Sequence, residues 1–96
     1  MINKKIVRNI LELEDELNRE SVDFPKVHMI IKDCIMKDAS DELKSKFLEA
    51  EFCTENILAL PSTNPKRRAY VDKLVEIKNL IKEIIVNELL KNEETA

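Results

Sequence analysis

Glycine is missing from all 96 residues of this chain. Because glycine supplies the positive-φ conformations of hairpin turns, bulges and phosphate-cradling loops, its absence argues against β meanders, P-loops and dinucleotide folds together. Long apolar runs are missing too: no stretch approaches the roughly 18 residues of a membrane span. The opening Met1-Ile2-Asn3-Lys4-Lys5 leads into an amphipathic pattern rather than the apolar core of a signal peptide, so no membrane contact is expected and a cytoplasmic location is. Cysteine is scarce. Cys34 and Cys53 stand 19 residues apart without a CxxC unit, which is neither a disulfide framework nor a zinc-ribbon pattern, and both are expected to be free, buried thiols.

What remains is rich in helix-forming and apolar residues. At 44% hydrophobic, the chain carries too much apolar matter for a disordered segment, and its length fits one domain spanning 1–96. A domain of this size buries only about two thirds of the surface its unfolded form exposes, so self-association would add usefully to its core. The net charge of -3 exerts no general pull toward nucleic acid or anionic membrane, and charged patches have to be judged singly.

Apolar spacing predicts four helices. Over about residues 2–20, Ile2, Ile6, Ile10, Leu13 and Leu17 recur at three and four, with Val7 and Leu11 widening the stripe and Glu12, Glu14, Asp15 and Glu16 on the outer face. Pro25 then suits the first position of a second helix, about 25–37, with Asp23 or Phe24 just outside it; its apolar positions are Val27, Ile30, Ile31, Cys34 and Ile35. Ser40 is the expected N-cap of a third helix, about 41–60. Its core stripe is Leu43, Phe47, Ala50, Cys53 or Thr54, and Ile57, broadened by Leu48, Phe52 and Leu58. Asn64 and Pro65 open the fourth and longest helix, about 65–91, whose main stripe is Tyr70, Leu74, Ile77, Ile81, Ile84 and Ile85. Short loops between amphipathic helices predict an all-α, antiparallel up-down four-helix bundle.

The fourth helix carries more apolar surface than one stripe requires. At about 100° per residue, Val75, Val86 and Leu90 cluster opposite the main stripe, with Val71 and Leu89 bridging toward it. An apolar face of this kind on a small domain marks an interaction surface, and a copy of the same helix in a homodimer is the simplest partner, a heterologous protein the other. Lys78, Lys82 and Glu83 are expected at its rim.

The same helix opens with Lys66-Arg67-Arg68 and continues with Lys73, Lys78 and Lys82, six cations against Asp72 and Glu76 over 61–82. Lys66, Arg67, Arg68 and Lys73 are therefore the candidate phosphate or nucleic-acid contacts, the basis of an alternative reading as a nucleic-acid-associated regulator. No aromatic interleaving accompanies them, and in an up-down bundle the acidic ends of helices 1 and 3, near Glu14, Asp15, Glu16 and Glu20, are expected to neutralise them.

Catalysis finds little footing. His28, the one histidine, is followed closely by Ile30 and Ile31, which crowd out the approach a phosphotransfer partner needs, and the hairpin of helices 2 and 3 brings it near Cys53. Glu49 or Glu51 could add a third ligand, but the spacing is not that of a zinc site. Glu12 with Asp15 and Glu51 with Glu55 are spaced like any solvated helix face, no ExxH unit exists, and no serine has a placed base. Neither a metal nor a cofactor is expected, no catalytic residue is assigned, and a carboxylate or metal-dependent enzyme stands as the remote alternative to a protein-interaction or regulatory module.

Overall fold

The computed structural model describes residues 4–37 and 39–95, with side chains through Lys91. Four helices follow one another: α1 (Lys4–Leu17), α2 (Phe24–Ile35), α3 (Asp41–Ala59) and α4 (Pro65–Thr95). No strand occurs among the described residues. Ile2 at the head of the first predicted stripe lies outside them.

Local chemistry sets the helix starts. The Asp23 side chain accepts the backbone N–H of Lys26, with Pro25 in the first turn of α2. Ser40 accepts the N–H of Leu43 at the start of α3, where Asp41 and Glu42 favour the positive end of the helix. Asn64 opens α4 in the same way, its side-chain oxygen accepting the N–H of Lys66. α4 runs four residues beyond the expected end because nothing in its last turns, neither proline nor glycine, stops a helix.

One apolar cluster draws on all four helices: Ile6, Ile10 and Leu13; Val27, Ile30, Ile31 and Cys34; Leu43, Phe47, Ala50, Cys53 and Ile57; Leu74, Ile77, Ile81, Ile84 and Ile85. These are the predicted stripes, except that Leu17, Ile35 and Tyr70 lie half-buried at the cluster's edge. α3 packs against both α2 and α4, and α1 against α2 and, more lightly, α4. α1 does not approach α3 closely, nor α2 α4, so the helices form a ring around their common core. The 31 residues of α4 would span about 46 Å at 1.5 Å each, nearly the whole 51 Å length of the molecule.

Two groups of residues depart from expectation. Leu11, Leu48, Phe52 and Leu58, expected to broaden the core stripes, are exposed, Leu48 by 53% and Phe52 by 59%. They sit at the margins of their stripes, and with neighbours on only two flanks each helix buries a narrower sector than its apolar residues span. Glu16, expected on the solvent face of α1, is only 3% exposed. Its carboxylate accepts the backbone N–H of Asp23 at 3.1 Å and pairs with Arg19 and Lys26, tying the end of α1 to the start of α2.

Candidate functional site

The outer face of α4 is built from residues left over once the buried stripe has been satisfied. Val75, Val86, Leu89 and Leu90 are exposed, Val86 by 52% and Leu90 by 51%. Val71 is half-buried against the core margin. Val71 and Leu89 stand five full turns apart at the same angle, so height along α4 and not the helical wheel separates the half-buried valine from the exposed leucine. Leu80 is also exposed, on the flank toward α3. It belongs to neither predicted stripe, and its isolation in the periodic pattern is what concealed it.

Asn79, Lys82, Glu83, Val86 and Asn87 line a shallow concavity on this face. Of the expected rim residues, Glu83 is exposed and Lys82 half-buried, whereas Lys78 is buried. Both lysines reach the Glu14 carboxylate of α1, Lys82 at 2.5 Å and Lys78 at 3.4 Å. The Lys82 hydrogen bond, helped by Lys78 and opposed by partial burial, holds the Glu14 carboxyl below the usual carboxylate range.

That pairing corrects the expected register of α1 and α4. The acidic end of α1 meets the middle of α4, not its basic start; Glu16 is engaged by Arg19 and Lys26 instead. Arg67 is nevertheless committed within the fold: its Nε donates to the carbonyl of Ile57 at the end of α3, and its guanidinium lies 5.2 Å from the centre of the Phe24 ring. Arg68 pairs with Asp72 one turn on. Lys66 and Lys73 are exposed and make no ion pair among the described residues. The basic patch is thus dispersed: one of its four members is turned inward and one is locally neutralised.

A second apolar surface lies between α3 and α4. Leu48, Phe52 and Tyr70 line a groove edged by Glu49 and Lys73, with buried Cys53 beneath, and the Phe52 and Tyr70 rings meet edge to face at 6.2 Å. Sequence periodicity assigned Leu48 and Phe52 to the core and so missed it.

His28 and Cys53 do not combine into a site. His28 Nδ1 lies 2.8 Å from Thr54 Oγ, and the Thr54 hydroxyl donates to the Glu51 carbonyl, so the oxygen is left to accept an Nδ1–H from the imidazole. Among the described residues no three His, Cys, Asp or Glu side chains converge as a metal site would require. Cys34 and Cys53 are free and buried. Burial pushes the Cys34 thiol up to about 11 and raises that of Cys53 as well. Burial shields both sulfurs from reagent, and at pH 8 Cys34, with its pKa near 11, is only about 0.1% thiolate, so iodoacetamide is expected to leave the folded protein unmodified and to label both cysteines once it is denatured. Rapid alkylation of the native protein, read by mass spectrometry, would show that these thiols are accessible.

These features define a small all-helical domain with exposed apolar surface on the outer face of α4 and between α3 and α4. In comparison with known proteins, no family model, no curated protein and no solved structure matches the chain. No helix among the described residues is long and apolar enough to cross a membrane.

Proposed function

We propose that this chain is a protein-interaction or regulatory module of the cytoplasm, a self-associating up-down bundle that recognises its partner through the outer face of α4. The observation that carries this reading is the apolar row Val75, Val86, Leu89 and Leu90, exposed on a helix whose opposite stripe already closes the core. The up-down arrangement is supported by cross-links at both ends of the α3/α4 pair. Ser40, at the start of α3, donates to Glu88 late in α4, while the carbonyl of Ile57, near the end of α3, accepts from Arg67 at the start of α4. Recognition would then be helix packing, with valine and leucine anchors at the centre and Lys82 and Glu83 at the rim fixing register.

Val86→Glu tests the reading. An isolated charge on this face should lower the mass measured by light scattering across a hundredfold concentration range, while the far-ultraviolet circular dichroism stays that of the wild type. If the variant instead unfolds, Val86 belongs to the core and the face is not free for recognition.

A further inference from the structure

The groove between α3 and α4 combines an apolar lining with a charge that nothing in the chain answers. Leu48 and Phe52 stand one turn apart on α3, and Tyr70 and Lys73 line the α4 side. The apolar stretch is thus about 6 Å long, one turn of each helix. A strip so short cannot supply the roughly 800 Å² that each partner contributes to a stable protein interface. Its volume of about 520 Å³ instead falls within the roughly 300–1,000 Å³ of small-molecule sites.

Two aromatic rings set the body of the occupant. Phe52 and Tyr70 meet edge to face at 6.2 Å, and Phe52 is still 59% exposed, so ring surface is left in water. A third ring laid against them buries that surface and adds a further aromatic contact of the same kind.

The polar edge sets the charge. Glu49 is answered by Lys46 at 2.9 Å, and Asp72, beside Lys73 in sequence, by Arg68. Glu76, one turn beyond Lys73, lies outside the groove lining. Lys73 is exposed and has no ion pair among the described residues, and neither has Lys66, one turn before Tyr70. The Tyr70 hydroxyl makes no hydrogen bond among those residues either. Beneath the groove, burial raises the Cys53 thiol and the Lys73 charge draws it back down, so the ammonium is felt at the groove floor. An ammonium and a phenol O–H, both unpartnered and three residues apart on one helix, suit an acceptor that carries negative charge.

We infer that the α3/α4 groove binds a small aromatic carboxylate, its ring against Leu48, Phe52 and Tyr70 and its carboxylate on Lys73. This site is separate from the outer face of α4 and does not depend on reading that face as the recognition surface.

The probe is 2-naphthoate, with 2-naphthamide as its uncharged counterpart. Tyr70 is the only tyrosine in the chain, so its ring protons report on the groove by nuclear magnetic resonance in the full-length protein. Naphthoate should shift them saturably and bind roughly threefold to fivefold more tightly than the amide, the effect of one exposed ion pair. In Lys73→Met that preference should vanish while the amide binds as before. Phe52→Ala, confirmed as helical by circular dichroism, should weaken both ligands, and Val86→Glu should weaken neither. Unshifted Tyr70 protons, acid and amide bound equally by the wild type, or a preference that survives in Lys73→Met would overturn the inference. Loss of naphthoate binding in a folded Val86→Glu protein would also overturn it, by moving the site to the outer face of α4. So would a wild-type dimer that Phe52→Ala converts to monomer, since a second copy would then occupy the groove.

Discussion

Phe47→Ala is expected to remove about 3–5 kcal/mol of folding free energy, the usual loss when a buried phenylalanine becomes a cavity. Phe47 is fully buried in the middle of α3, the helix that packs against both α2 and α4, so the void opens where the ring of helices has no surface to collapse from. Against a total of about 5–15 kcal/mol for a domain of this kind, that is about a fifth of the whole at the least, and the melting temperature should fall by more than about 12 °C. Phe52, five residues on in the same helix, supplies the internal comparison. Its ring is 59% exposed and touches Tyr70 edge to face, so Phe52→Ala should cost about 1 kcal/mol or less. Thermal and urea unfolding followed by circular dichroism measure both. Equal losses would place Phe52 in the core and remove the α3/α4 groove.

That pair of phenylalanines shows where sequence stops being informative. Periodicity identifies the angle at which a side chain leaves its helix, which was enough to find Leu43, Phe47, Ala50, Cys53 and Ile57, all buried in α3. It does not say how wide a sector the neighbouring helices cover, and Leu48, Phe52 and Leu58 stand just beyond that width. Register between helices was equally hidden. Glu14 was expected beside the basic start of α4 and instead meets Lys78 and Lys82 at its middle, because α1 is less than half as long as α4 and its height against it is set by packing and not by any local signal. On the outer face of α4, Val75, Val86 and Leu90 were legible as a second stripe, whereas Val71 and Leu89, bridging residues at one angle of the helix, differ in burial by their height along α4, which no periodicity reports. Short-range chemistry fared better: the caps at Asp23, Ser40 and Asn64 follow from the hydrogen bonds each side chain makes to its own first turn.

Glu16→Ala is the second substitution expected to be severe, at about 2–3 kcal/mol, the range for losing a hydrogen bond to a charged group while its partner stays unsatisfied. One carboxylate oxygen accepts the Asp23 N–H and the other faces Arg19 at 3.1 Å and Lys26 at 3.8 Å, all at the connection of α1 to α2. The two cations are themselves well exposed, so their pairing contributes less than the backbone hydrogen bond. Glu16→Gln keeps an oxygen for that N–H and loses only the charge, and should therefore fall between Glu16→Ala and the neighbouring Asp15→Ala, which is exposed and expected to change stability by no more than about 0.5 kcal/mol. Hydrogen exchange gives the decisive reading, since the Asp23 amide should lose protection in Glu16→Ala and retain most of it in Glu16→Gln. If both variants behave like Asp15→Ala, the loop is held by the apolar contacts of Val22 and Phe24 with the core and the buried carboxylate is incidental.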